Sequence, residues 1–168
     1  MSAATMDNLV FRGLESLADV ARLEEIICHT GVFYPEEIPV ARELLNDCLA
    51  QAASGYYRGF LTQRGDEILG YALYVEAAGT LGTFELYWLA VDPVCQGMGV
   101  GRQLMEELER QVNAAQGLRI YISTSARPEY EPARRLYTAC GYELAGCLPN
   151  YFRQGDDLLY FYKSLVVL

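Results

Sequence analysis

Apolar positions along the chain change period several times, and each change marks an element. Leu9 to Gly13 predicts a short strand. From Leu17 to Cys28, the residues Leu17, Val20, Leu23 and Ile27 recur at helical spacing and form one apolar face. Tyr34-Pro35-Glu36-Glu37 interrupts the pattern and predicts a helix start, because proline suits the first helical position and acids suit the first turn. That helix continues through Ala41, Leu44, Leu45 and Cys48. Three strand-like runs follow, Tyr57 to Gln63, Glu67 to Val75 and Thr83 to Val91, with Arg64-Gly65-Asp66 joining the first two as a hairpin. From Val100, the residues Leu104, Met105, Leu108 and Val112 return to helical spacing, opposite Glu106, Glu109, Arg110 and Asn113. Leu118 to Thr124 is another strand, and Glu131 to Cys140 a helix stopped by Gly141. Tyr142 to Gly146 and Leu158 to Ser164 are the last strands, around a loop holding Gly155-Asp156-Asp157.

The order β-α-α-β-β-β-α-β-α-β-β predicts an α/β fold, a mixed sheet with helices on both faces and a ligand at the carboxyl end of the Thr83–Val91 strand. No repeat, linker or low-complexity tract divides the 168 residues, so residues 1–168 are expected to form one domain. Hydrophobic residues at 52% and charged ones at 21% fit a folded rather than a disordered chain. No apolar run approaches the roughly 18 residues of a membrane span, and Met1 to Asp7 has neither a basic nor an apolar leader, so the expected location is cytoplasmic. The net charge of −9 disfavours nucleic acid or anionic membrane and is compatible with a cationic substrate such as an amine. Five cysteines without a CxxC pair and a single histidine, His29, give a metal little to bind, so no metal is expected and the thiols are read as free. Cys95 is the thiol placed to be exposed, and His29 reads as a helix-end residue.

The most specific local chemistry is Gln96-Gly97-Met98-Gly99-Val100-Gly101-Arg102, between an apolar strand and an amphipathic helix. Alternate glycines let backbone approach a ligand, and the helix start offers N–H groups and a positive dipole end to a phosphate. It is not a nucleotide-triphosphate loop of the Walker type, because Arg102 and Gln103 stand where Lys and Ser or Thr are required. It is not the dinucleotide fingerprint either, since Arg102 replaces the third glycine and the strand Arg119 to Thr124 lacks the ribose-binding acid.

Leu89-Ala90-Val91-Asp92-Pro93 followed by this loop resembles the acetyl-CoA-binding segment of the GNAT superfamily of N-acetyltransferases, with Gln96, Gly99 and Gly101 at the motif positions. A second segment, Ala133-Arg134-Arg135-Leu136-Tyr137-Thr138-Ala139-Cys140-Gly141-Tyr142, is similar to that family's later helix, where a tyrosine stands four places before a glycine. The element order matches as well. The resemblance implies acetyl-CoA as acyl donor, its pyrophosphate on the amides from Gly97 to Arg102. The pantetheine arm would pair with Leu89, Ala90 and Val91, one of whose N–H groups would face the thioester oxygen. Tyr137 would be the general acid for the departing thiolate, a phenol near 10 facing a thiol near 8.5. Glu85 is the candidate base, on the face of Tyr87, Leu89 and Val91 by alternation, and a base glutamate holds what looks like this position in the histone-acetyltransferase branch.

One departure is Tyr130, where the family often has asparagine. The acceptor would be gripped by His29 to Glu37 and Pro149 to Asp157, whose Phe33, Tyr34, Glu36, Glu37, Tyr151, Phe152, Asp156 and Asp157 suit an ammonium group. The resulting expectation is direct acetyl transfer to the amine of a small molecule, or less directly of a peptide, with a non-catalytic CoA-binding sensor as the alternative. A homodimer through the final strand and the apolar tail Leu165-Val166-Val167-Leu168 is also expected.

Overall fold

The computed structural model describes residues 9–50 and 56–166. In chain order the elements are β1 Val10–Arg12, α1 Leu17–Thr30, α2 Glu37–Ala50, β2 Tyr57–Arg64, β3 Glu67–Glu76, β4 Thr83–Val91, α3 Val100–Ala114, β5 Arg119–Ser125, α4 Glu131–Ala139, β6 Glu143–Arg153 and β7 Asp156–Ser164. Short 3-10 turns at Pro93–Cys95 and Pro128–Tyr130 precede α3 and α4. The strands form one seven-stranded sheet in the order β1-β2-β3-β4-β5-β7-β6. β4 and β5 run parallel, while β1–β2, β5–β7 and β6–β7 are antiparallel, so the sheet is mixed.

The chain divides into two compact units: Met1–Leu73 with Trp88–Leu104, and Tyr74–Tyr87 with Met105–Leu168. In the first, Val20, Leu23, Ile26 and Ile27 of α1 and Ala41, Leu44, Leu45 and Cys48 of α2 pack with Leu61, Tyr71 and Leu73. Each large aliphatic buried there contributes roughly 1.5–3 kcal/mol. The other side of β3 faces α3: a Cβ at Gly70 would lie 2.7 Å from the Ala90 carbonyl and 3.2 Å from Leu104. Helices therefore cover both faces of the sheet. In the second unit a Cβ at Gly117 would lie 2.3 Å from Val112 and 2.9 Å from Phe84, so only glycine lets α3 close onto that strand. The Tyr74 hydroxyl donates to Gln111 at 2.8 Å, and Lys163 bridges Glu109 and the Cys140 carbonyl at the end of α4, all at 2.8 Å.

The first helix is capped as its sequence requires. Ser16 Oγ accepts the Asp19 N–H at 3.2 Å, Asp19 Oδ2 accepts the Ser16 N–H in return, and Gly31 closes the helix at φ +66°. Arg12 then grips the buried Asp19 with two hydrogen bonds of 2.8 and 2.9 Å.

Three expectations are corrected. Leu17, 70% exposed, is not part of the α1 core face; it sits in the first helical turn, and Ile26 is buried in its place. α2 starts at Glu37 rather than at Pro35, because the Glu37 side chain accepts the Tyr34 N–H at 2.6 Å and makes Tyr34–Glu37 a turn; the proline in the first helical turn is Pro39. The last two strands form a long hairpin instead of flanking a loop. β6 continues through Pro149 and Asn150 to Arg153, helped by Asn150 at φ +54° and by Asp157 Oδ1, which takes the Asn150 N–H at 2.7 Å.

Candidate active site

The glycine loop lies in the first unit, and its entry is fixed by a buried acid. β4 ends at Val91, and Asp92 then caps the 3-10 turn by accepting the Val94 N–H at 3.1 Å. The same carboxylate takes the Arg22 guanidinium from α1, while the Asp92 N–H donates to the Leu69 carbonyl of β3 at 2.8 Å. Sequence reasoning missed Arg22. The available signal was an acid directly after a buried strand, which needs a partner once the strand carries it inward.

Past this joint, Gly97 and Gly99 adopt φ +77° and +82°, conformations that favour glycine. A Cβ at Gly97 would meet nothing within 4 Å, so the requirement there is conformational and the side is open. Met98, exposed between them, donates its N–H to the Cys95 carbonyl at 3.3 Å. Gln96 reaches back to the Val91 carbonyl at 3.5 Å. Gln103 donates to Gly99 at 3.2 Å, so the amides of Val100 and Gly101 come before the helical ladder, and Arg102 completes that first turn. The third glycine is thus already helical. Cys95 is buried, against expectation: the 3-10 turn folds it inward, and burial, then the nearby negative charge of Asp92, pushes its thiol pKa up.

The ladder between β4 and β5 runs only from Thr83–Arg119 to Leu86–Ile122, so Leu89, Ala90 and Val91 lie beyond it. β4 also carries an irregularity. Ala77 pairs with Thr83 and Asp92 with Leu69, so β4 advances nine residues while β3 retreats eight. That extra residue is a bulge, and it swaps faces within β4. Phe84 packs with Tyr74, whereas Trp88 and Ala90 belong to the cluster of α1 and α2. Strict alternation therefore does not run the length of β4, and the count placing Glu85 with Leu89 and Val91 is corrected.

Glu85 and Tyr137 both belong to the second unit. Glu85 registers with Tyr121 of β5, which registers with Tyr162 of β7, their rings 5.0 Å apart. Glu85 is near enough to Tyr160 that its charge, after burial, raises that phenol's pKa, and Tyr151 of β6 adds to the shift. The acid thus sits among half-buried phenols. Tyr137 is on the opposite face, its ring 5.8 Å from Phe161, which registers with Ile122. Burial, then the Tyr130 phenol, holds the Tyr137 pKa well above the ordinary phenol value. Its phenol is therefore protonated and able to donate at ordinary pH.

Arg134 fastens α4 to the end of β5, donating to the carbonyls of Ser125 at 2.7 Å and Arg127 at 2.9 Å. Arg127 lies over the Tyr130 ring at 5.2 Å.

The acceptor regions are changed more. Phe33 stacks on Trp88 with centroids 4.9 Å apart, and Glu37 is engaged in its turn. Asp156 is buried, accepts the Ser125 hydroxyl at 2.5 Å and forms an ion pair with Arg127 at 3.4 Å, so it is a structural carboxylate rather than an acceptor contact. Asp157 holds Asn150. Tyr151 and Phe152 remain exposed, their rings edge to face at 5.2 Å. His29 lies in the last turn of α1. Among the described residues, no three His, Cys, Asp or Glu side chains are grouped to hold a metal ion, and no helix is long and apolar enough to cross a membrane.

The fold is thus a mixed α/β sheet in which β4 runs through a glycine turn into α3. The sequence profile of the acetyltransferase (GNAT) family matches residues 20–142, and the chain belongs to that family of enzymes. A crystal structure assigned to the GNAT family from Desulfovibrio desulfuricans is 32% identical and superposes with a TM-score of 0.89, covering 95% of this chain and 100% of that one. The N-alpha-acetyltransferase RimI of Mycobacterium tuberculosis is 32% identical over 91 residues, 53% of this chain and 54% of RimI. An aminoglycoside 6'-N-acetyltransferase complexed with coenzyme A shares the fold at 16% identity, with a TM-score of 0.75 over 95% of this chain and 98% of that one. Across three curated relatives the chain spans 23% to 58% of their length.

Proposed function

We propose that this chain moves an acetyl group from acetyl-CoA to a primary amine by direct attack, as a single catalytic domain. The supporting observation is the pair of left-handed glycines, Gly97 and Gly99, directly before the amides that precede the α3 ladder. Those donors, which follow the Asp92–Arg22 joint along the chain and have open space at Gly97, suit a pyrophosphate. Gln96, Gly97, Met98, Gly99, Val100, Gly101 and Arg102 would hold the phosphates, and the main chain of Leu89, Ala90 and Val91 the pantetheine arm. Bound there, acetyl-CoA supplies a thioester-activated acetyl group.

The chain's own residues manage charge and protons. An N–H in Leu89–Val91 stabilises the carbonyl oxygen. Glu85 would take the proton that the ammonium must lose before it attacks; as the C–S bond breaks, Tyr137 would give its phenolic proton to the departing thiolate and be reprotonated by the proton that the new amide nitrogen sheds. A covalent route through Cys95 or Cys140 is disfavoured because neither has a histidine nearby in sequence to activate it. The acceptor is a small-molecule amine; a protein α-amine, the substrate type in the RimI name, is the second candidate. Calorimetry with acetyl-CoA, followed by thiol release with a panel of amines and peptides, tests this. Binding with release driven by one acceptor class supports the reading, and absence of binding overturns it.

A further inference from the structure

The end of β5 is paired to β7 and not to β4. Its ladder with β4 stops at Ile122, whereas Ser123, Thr124 and Ser125 continue in register with Tyr160, Leu159 and Leu158 of β7. β7 itself lies between β5 and β6, so both of its edges are taken. This corrects the expected dimer contact through the final strand; of the apolar tail, residues 167–168 lie outside the described residues.

The first residue of β7 is Asp156, only 2% exposed. A buried carboxylate is costly unless its oxygens find partners. Oδ1 accepts the Ser125 hydroxyl, and Oδ2 faces Arg127 Nε. With its proton committed to Asp156, Ser125 Oγ turns a lone pair to the Arg127 N–H, which donates to it at 3.0 Å. The Ala126 N–H donates to the Asp157 carbonyl at 2.9 Å. Two successive residues of β7 thereby fix three successive residues where β5 ends. This fixed segment in turn holds α4. The helix begins without a side-chain cap, Tyr130 standing at the cap position. Arg134 reaches back to the carbonyls of Ser125 and Arg127, and the Tyr130 N–H donates to the same Arg127 carbonyl at 3.1 Å. Tyr137 stands three places after Arg134, on the same side of the helix.

We propose that Asp156 is a positioning residue for acyl transfer: through Ser125 and Arg127 it orients the carbonyls that Arg134 grips, and so sets where α4 holds Tyr137. The inference rests on the role proposed for Tyr137. A carboxylate suits the task better than an apolar residue, because directed hydrogen bonds specify one arrangement where apolar packing tolerates several. Support of this kind, behind the residue that meets the substrate, is what keeps a reacting group within a fraction of an ångström of its productive place.

Two variants of the full chain test it. Asp156→Asn keeps an acceptor for Ser125 and loses the charge facing Arg127, while Ser125→Ala breaks the same chain of contacts one step on and serves if the first does not fold. Circular dichroism confirms the fold of each. Hydrogen–deuterium exchange needs no turnover: the amides of α4 are expected to exchange at least about fivefold faster in both variants, with those of α3 unchanged. In turnover each variant should lower kcat by about 5–20-fold and leave KM for acetyl-CoA within about twofold. That loss should vanish in a Tyr137→Phe background, because groups acting as one unit are not additive. Unchanged exchange in α4 overturns the proposal whatever the chain catalyses. So does a loss of kcat that multiplies independently with that of Tyr137→Phe. A wild type that transfers no acetyl group overturns the transferase reading instead, and exchange then decides alone whether Asp156 sets α4.

Discussion

Asp92→Asn removes a charge from the joint that starts the glycine loop while keeping the side chain's shape. The carboxylate is buried and makes two contacts, the Val94 N–H and the Arg22 guanidinium. Asparagine can still accept from Val94, so the substitution isolates the ion pair. A hydrogen bond to a charged group contributes about 1.5–3 kcal/mol. The Arg22 side chain is 29% exposed, and competing water places this pair in the lower half of that range, about 1.5–2 kcal/mol. For a chain of this size that is a fall in Tm of about 3–8 °C. Urea denaturation of Asp92→Asn, Arg22→Met and the double variant gives the coupling directly and is expected to exceed about 1 kcal/mol. The same variants should bind acetyl-CoA more weakly by calorimetry, because the joint fixes the loop before the ligand arrives. Single effects that add within about 0.5 kcal/mol, with unchanged binding, would refute the reasoning.

Four further outcomes are expected. Gly99→Ala forces a side chain into φ +82°, costing about 1–2 kcal/mol, and should weaken acetyl-CoA binding in calorimetry more than Gly99→Asn does. Tyr137→Phe should lower kcat by about 10–100-fold with little change in KM for acetyl-CoA, and the wild-type pH–rate profile should show no Tyr137 limb, because its phenol stays protonated. Glu85→Gln should lower kcat/KM for the amine by about 10–100-fold and alter the pH–rate profile; an unchanged rate and profile remove Glu85 as base. Arg12, against an opposing effect of burial, holds the Asp19 pKa below its unfolded value near 3.9. Asp19 therefore stabilises the fold fully above that pH and loses the contribution as pH falls through the lower folded pKa. Urea midpoints of wild type and Asp19→Asn should differ at pH 7 and converge towards pH 3.

The features legible in the chain were those a few neighbouring residues determine. Helical and alternating apolar patterns located the strands and helices because side-chain period follows from backbone geometry. The hairpin at Gly65 and the Gly97–Gly99 turn were legible because positive φ is a local demand that glycine meets. The Ser16–Asp19 capping box was equally local, although it was not singled out.

What the tertiary structure decided depends on partners distant in sequence. Pro149 and Asn150 look like breakers, yet β6 passes through them because Asp157 on β7 holds the backbone. Asp156 looks like a turn residue beside the site, yet Ser125 and Arg127 draw it inward. The β4 bulge appears only against β3, and it decides which face each side chain takes. Arg22 and Asp92, seventy positions apart, meet only after α1 packs beside β3. Backbone preference is written residue by residue, whereas burial and electrostatic environment are properties of whatever the fold brings alongside. The sequence therefore determined the elements and the shape of the glycine turn, and the packed structure determined which acids and phenols remain available for chemistry.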